Sequence, residues 1–101
     1  MKCKYYQWTL SDGSIWEVPM CIIEHNRSTY YHESYPDEFP TLDSALADTK
    51  ELFSDDYEAH DWAVNNMNWD DVERFSKQIN SGMVDMQEEW VNPYEYKIIE
   101  R

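Results

Sequence analysis

The stretch KYYQWTLSDGSIWEV, residues 4–18, predicts how the fold begins. Two segments rich in aromatic and apolar residues flank the turn sequence Ser11-Asp12-Gly13-Ser14. Asp-Gly between apolar runs is the strongest short signal for a β-hairpin, because these residues tolerate the positive φ angles of a tight turn. We therefore expect residues 4–10 and 15–18 to form two antiparallel strands that start a sheet.

A first helix is predicted directly after the hairpin. Pro19 suits the first turn of a helix, where its missing N–H would have no partner. From Met20 onwards one helical face is marked by residues that recur at three- and four-residue spacing, namely Ile22, Ile23, Arg27, Tyr30 and Tyr31. This helix should end by Tyr35-Pro36, because the residue before a proline avoids helical geometry.

Two more helices are predicted in the middle of the chain. Thr41 suits the N-cap of a helix whose apolar residues are Leu42, Ala45, Leu46, Leu52 and Phe53. A third helix should start at Ser54-Asp55-Asp56, where the acids lie at the positive end of the helix dipole. The segment Asn65-Asn66-Met67-Asn68 should end it, since asparagine tolerates turn geometry.

The last third of the chain is less regular. Residues 69–72 should start a short element, but residues 73–80 fit either a helix or a strand, and the pattern leaves both open. A turn is expected at Ser81-Gly82. Near the C-terminus Tyr94, Tyr96 and Ile98 alternate with other residues as in a half-buried strand. The prediction is one α+β domain over residues 1–101, in which the N-terminal hairpin and a C-terminal strand form a small antiparallel sheet against two to four helices on one face.

The composition indicates a folded domain with an aromatic core. Only 18 residues are Leu, Ile, Val or Phe and the formal net charge is −13, which alone would favour disorder. Five Trp and eight Tyr supply large buried areas instead, and only two Gly and four Pro interrupt the chain. No apolar segment follows Met1 and no run is long enough to cross a membrane, so we expect a cytoplasmic protein with its two cysteines reduced.

The negative charge is concentrated in the middle of the chain. Residues 28–73 contain 13 carboxylates and one basic residue, Lys50, for a net charge of −12 within 46 residues. Solubility of a small domain needs a net charge of only about 2 to 8 in magnitude, and further like charge opposes folding through self-repulsion. The excess favours a positively charged partner.

Several site classes are disfavoured by spacing. The three histidines and two cysteines include no Cys-x-x-Cys, no His-Glu-x-x-His and no calcium loop. Glu58-Ala59-His60-Asp61 has no neighbouring nucleophile, and adjacent acids such as Glu88-Glu89 point in different directions on a helix. We expect no catalytic residue, no metal and no cofactor. His60 is predicted to be a surface residue that the acids around it keep protonated.

The charge also decides between binding and imitating nucleic acid. Bases stack on aromatic residues within basic grooves, and here the surrounding charge has the wrong sign for direct binding. Duplex DNA carries one charge per about 1.7 Å of axis. Asp55, Asp56, Glu58 and Asp61 would place one charge per roughly 2.6 Å of a helix with a 1.5 Å rise per residue, which is within a factor of two.

Three segments resemble a family. Glu17-Val18-Pro19, residues 27–33 and residues 61–72 together resemble a group of small acidic, mostly uncharacterised proteins of tailed bacteriophages, and the resemblance covers roughly residues 5–75. It brings no catalytic motif. It implies a small phage protein that blocks a host protein, as DNA mimics do with restriction enzymes or CRISPR effectors.

These considerations predict a non-enzymatic inhibitor, made in the host cytoplasm, that binds a basic DNA- or RNA-binding host protein as a DNA mimic. It would bind neither nucleic acid directly nor membrane, and a homodimer is left open. The carboxylates predicted to contact the partner are Asp37, Glu38, Asp43, Asp48, Glu51, Asp55, Asp56, Glu58, Asp61, Asp70 and Asp71. Two alternatives remain: a structural or regulatory phage protein whose acidity serves solubility only, and a metal-dependent hydrolase that uses His60 and neighbouring acids.

Overall fold

The computed structural model describes residues 3–79, 86–91, 93 and 95–101. Within these ranges one antiparallel sheet, in the order β3-β2-β1-β4, contains β1 (Lys4–Thr9), β2 (Ile15–Pro19), β3 (Lys77–Gln78) and β4 (Glu95–Glu100). The helices are α1 (Met20–Ser34), α2 (Leu42–Leu52), α3 (Asp56–Asn66), the single turn α4 (Trp69–Val72) and α5 (Met86–Val91). The predicted α+β fold, with the hairpin and a C-terminal strand in one sheet, is confirmed.

The hairpin turn is built as its sequence predicts. The Leu10 amide donates to the Ser14 carbonyl over 2.8 Å, and the Gly13 amide donates to the Leu10 carbonyl over 2.9 Å. Gly13 has a φ of 86°, a backbone conformation that residues with a Cβ rarely adopt. The Asp12 carboxylate accepts hydrogen bonds from the amide and the hydroxyl of Ser14, which fixes the loop.

The helix boundaries follow local capping chemistry, with one small correction. Pro19 is the last residue of β2 and the N-cap of α1, with an extended ψ of 136°, so it does not lie in the first helical turn as predicted. Thr41 caps α2 in a reciprocal capping box with Ser44. Asp55 caps α3 by accepting from the Tyr57 amide, and α3 ends at Asn66.

The segment that the sequence left open contains both kinds of structure. A 3₁₀ turn over Glu73–Phe75 comes first, and β3 follows directly after Ser76. β3 pairs with β2 through Trp16 opposite Gln78 and Glu17 opposite Lys77. The predicted turn at Ser81-Gly82 and the predicted strand residue Tyr94 lie outside the described residues.

The core between the sheet and the helices is aromatic, as the composition indicates. Tyr6 and Trp8 of β1 are fully buried and contact Trp90 of α5, with ring centroids 5.7 Å and 4.8 Å away, respectively. The Trp90 indole N–H donates to the carbonyls of Ala63 and Met67, at the C-terminal end of α3. Trp90 therefore fills the core and also binds carbonyls that the helix leaves without an intrahelical partner.

Side chains alternate across the sheet, so its two faces differ. Tyr6, Trp8 and Val18 point toward the helices, whereas Gln7 and Glu17 point to the other face. The predicted arrangement, with the helices packed on one face of the sheet, agrees with this core.

Candidate functional site

Most of the predicted contact carboxylates lie on the surface. Eight of the eleven are exposed, and the other three are partly buried: Asp48, Glu58 and Asp61. They belong to several elements and do not form one row. Asp37 and Glu38 lie in the loop between α1 and α2, Asp43 lies in the first turn of α2, and Asp70 and Asp71 lie in α4.

Four of these carboxylates line one groove between α2 and α3, which we call the acidic groove. It has a volume of about 560 Å³ and is lined by Asp48, Glu51, Asp55 and Glu58 together with Arg27, Leu52 and Ser54. The spacing explains the arrangement, because residues three apart are neighbours on a helix surface. Asp48 and Glu51 form one such pair on α2, and Asp55 and Glu58 form another at the start of α3.

Arg27 lies inside this anionic region, although the sequence count places it just before the acidic block. Its side chain is buried and donates to the Asp48 carboxylate over 3.0 Å and to the Thr49 hydroxyl over 2.8 Å. The guanidinium carbon also lies 4.4 Å from the centre of the Tyr31 ring. Arg27 thus ties α1 to α2 and partly neutralises Asp48.

Three other predicted carboxylates have local structural contacts. Asp55 accepts a hydrogen bond from the backbone N–H of Tyr57 over 3.0 Å, and Asp71 accepts one from the backbone N–H of Asn68 over 2.8 Å. Asp61 accepts from the Asn65 side chain over 2.8 Å. Capping accounts for the positions of Asp55 and Asp71 without a partner, but a carboxylate that caps an exposed helix end keeps its negative charge on the surface.

Basic residues gather on the face of the sheet that points away from the helices. Lys77 and Lys97 lie opposite Glu17 and Gln7 in neighbouring strands, and Arg101 pairs with Glu17 and covers the Tyr5 ring. Burial raises the pKa of Glu17, but hydrogen bonds from Gln7 and Arg101 and the nearby charges of Arg101 and Lys77 outweigh it, so this pKa lies below its usual value. Glu17 is held as a carboxylate.

His60 is not the protonated surface residue that the sequence predicts. Its ring is partly buried and stacks on Tyr96 with centroids 3.7 Å apart, and its Nδ1 lies 2.8 Å from the Tyr6 hydroxyl. Burial lowers the pKa of His60, and the smaller opposing effect of Asp61 does not restore it. The prediction from neighbouring acids was wrong because it ignored desolvation. Burial also raises the pKa of Tyr6 well above its usual range, so its hydroxyl stays protonated and shares a hydrogen bond with the imidazole Nδ1.

A second groove, which the sequence analysis missed, lies between α1 and α3. We call it the aromatic groove; it has a volume of about 620 Å³, and its lining includes Tyr30, Tyr31 and Trp62. Asn26 orients one wall by accepting from the Trp62 indole N–H over 2.9 Å. The helical spacing marked Tyr30 and Tyr31 as one face of α1, but nothing local indicates that Trp62, more than thirty residues away, joins them.

The described part of the chain contains no group of three His, Cys, Asp or Glu side chains that could hold a metal ion. Cys3 and Cys21 are both exposed and are not joined to each other. Among the helices in the described ranges, none is long and apolar enough to cross a lipid bilayer.

No known protein family, curated protein or solved structure matches this chain. The resemblance to acidic phage proteins therefore stays a prediction.

Proposed function

We propose that this protein is a non-enzymatic inhibitor of phage origin that binds a basic, nucleic-acid-binding host protein as a DNA mimic. The observation that carries this proposal is the acidic groove, in which carboxylates of α2 and of the start of α3 line one surface depression. A groove bordered by negative charge is the feature that a DNA-binding protein meets on a duplex.

The spacing of the charges supports mimicry. Residues three apart on a helix are separated by about 4.5 Å along its axis at 1.5 Å per residue. Asp55, the N-cap of α3, follows this spacing with Glu58 and Asp61 of the helix, and Asp48 and Glu51 follow it on α2. A row of this kind carries one charge per about 4.5 Å of helix axis, which approaches the spacing of about 3.4 Å between the charges along one DNA strand.

The incomplete compensation of negative charge in the acidic groove also supports a basic partner, because Arg27 in its described lining pairs with Asp48 alone. Of the eleven predicted carboxylates, only Asp48 forms an ion pair with another described residue. Solubility requires negative charge but no particular arrangement of it, and it gives no reason for four carboxylates to line one groove. A basic partner would relieve the repulsion between these carboxylates, so its binding would be fast and sensitive to salt.

The direct test compares two variants of equal net charge. E51Q/D55N/E58Q removes three charges from the acidic groove while Asn at position 55 keeps a good N-cap. E73Q/E95Q/E100Q removes three exposed charges elsewhere and serves as the matched control. Each protein is immobilised and exposed to bacterial lysate, and bound proteins are eluted with salt or with a short duplex DNA and identified by mass spectrometry.

We expect the wild type and the control to retain nucleic-acid-binding proteins that duplex DNA displaces, and the groove variant to lose them. Equal retention by both variants, or recovery of only neutral proteins that resist salt and DNA, would refute the proposal.

A further inference from the structure

We propose that the aromatic groove between α1 and α3 binds the guanidinium group of an arginine side chain on the partner. This inference rests on the proposed function, because it names a specific contact for the basic partner. It concerns a groove that shares no lining residue with the acidic groove.

The aromatic walls offer a surface on which a planar cation can stack. Tyr30 lies 5.3 Å from Tyr31 and 5.8 Å from Trp62, and Tyr31 lies 6.0 Å from Trp62, measured between ring centroids. Tyr30 is 49% exposed, so a ligand can reach it. Tryptophan and tyrosine faces attract cations, and guanidinium stacks on them more readily than ammonium because it is planar and weakly hydrated.

The polar lining complements a guanidinium group. Two exposed carboxylates, Glu33 and Asp71, line the groove with the side chains of His25, Asn26 and Asn66, and its described lining contains no Lys or Arg. A guanidinium has five donor hydrogens in a fixed plane and no acceptor, so it needs oxygen acceptors around an apolar surface. A nucleobase would also stack on the rings, but its phosphates would be repelled by the two carboxylates and by the rest of this surface.

The chain already contains the same kind of contact. Arg27 places its guanidinium 4.4 Å from the centre of the Tyr31 ring while it donates to Asp48. One ring of the groove therefore already binds an arginine, and because Tyr35 also stacks on Tyr31 with centroids 5.5 Å apart, the exposed Tyr30 is the ring offered to the partner. The hydrogen bond between Trp62 and Asn26 holds a second ring in place before any ligand arrives, which reduces the entropy that binding would cost.

The test uses two short peptides that differ in one functional group. The first is a Gly-Arg-Gly-Arg-Gly peptide with blocked ends, and the second carries neutral citrulline in place of each arginine. Binding is followed by NMR through the indole N–H signal of Trp62 in ¹⁵N-labelled protein. We expect the arginine peptide to shift this signal in a saturable way and the citrulline peptide to leave it unchanged. Equal shifts with both peptides, or none with the arginine peptide, would overturn the inference.

Three variants locate the contact. Y30A removes an exposed ring, and Y30L keeps apolar bulk but removes the π-face. Each should weaken binding of the arginine peptide about two- to five-fold, the change expected for one exposed cation–π contact. Y57A removes a ring that is 59% exposed outside the groove lining and should leave the affinity unchanged. Unfolding curves confirm that each variant is folded. Unchanged affinity in Y30A and Y30L, or an equal loss in Y57A, would overturn the inference.

The two proposals fail in different ways. If E51Q/D55N/E58Q loses the host partner while Y30A and Y30L bind it as the wild type does, the arginine contact is refuted and the DNA mimic stands. If the arginine peptide binds the groove but the lysate yields no basic protein, the DNA mimic is refuted and the arginine site stands as an isolated property of the fold.

Discussion

Replacing Asp48 by alanine should destabilise the fold more than replacing Arg27 by methionine, although both changes break the same ion pair. The asymmetry follows from burial, because the Arg27 side chain is 10% exposed and the Asp48 side chain is 46% exposed. When Asp48 is removed, a largely buried charge loses its carboxylate partner and has little access to water in exchange. When Arg27 is removed, Asp48 regains contact with water.

The magnitudes follow from the contacts that each change removes. Asp48→Ala loses a hydrogen bond between charged groups, about 1.5–3 kcal/mol, offset by roughly 0.5 kcal/mol from the better helix propensity of alanine. We expect a net loss of about 1–2.5 kcal/mol. Arg27→Met keeps most of the buried stem, and Thr49 keeps its hydrogen bond from Ser28, so the loss should be about 0–1 kcal/mol.

Urea denaturation of the wild type, both single variants and the double variant measures these quantities, since domains of this size usually unfold in two states. The double variant should be about as stable as R27M, because the penalty in D48A arises from the charge of Arg27 and disappears with it. A larger loss in R27M than in D48A, or additive losses in the double variant, would refute the reasoning. R27M also makes the acidic groove more negative, so it should bind a basic partner more tightly than the wild type.

Three further predictions concern buried groups. Because burial lowers the pKa of His60, the unfolded chain binds a proton at this histidine more readily than the folded chain does. The free energy of unfolding, measured by urea denaturation, should therefore fall as pH drops from about 6.5 toward the folded pKa. In H60Q this pH dependence should be weaker. The pKa of Glu17 is lowered, so its carboxylate stabilises the fold above the unfolded pKa, and this contribution is lost as pH falls through the folded pKa. E17Q should therefore lower the free energy of unfolding by about 1–3 kcal/mol at pH 7. The difference from wild type should vanish in strong acid. Trp90→Phe keeps most of the buried ring but leaves the Ala63 and Met67 carbonyls without the indole donor. Calorimetry should therefore show a fall of about 1–3 kcal/mol in the free energy of unfolding. An unchanged melting temperature would mean that water replaces the indole N–H.

The elements that the sequence predicts well are those set by local chemistry. The Asp12-Gly13 turn, the Thr41 cap of α2 and the end of α3 at Asn66 each depend on residues within four positions, and all are found as expected. Residues 73–80 remained open because a 3₁₀ turn and a two-residue strand are too short to leave a periodic pattern.

The features that the sequence did not predict depend on contacts between distant segments. His60 was assigned from its neighbours along the chain, whereas its environment is set by Tyr6 and Tyr96, which lie 54 and 36 positions away in sequence. The aromatic groove and the burial of Trp90 likewise arise only when α1, α3 and α5 pack together. The exposure of most of the predicted carboxylates was easier to anticipate, because charged side chains are almost never fully buried without a partner.

The basic residues on the outer face of the sheet have a kinetic consequence. That face carries Lys77, Lys97 and Arg101 against the acids Glu17 and Glu95, whereas α2 and α3 carry a large excess of carboxylates, so the centres of positive and negative charge do not coincide. The protein is therefore an electric dipole as well as an anion. In the field of a basic partner it would experience a torque that turns the helical side forward before contact. Orientation of this kind raises the fraction of collisions that are productive, which is the step that usually limits protein association.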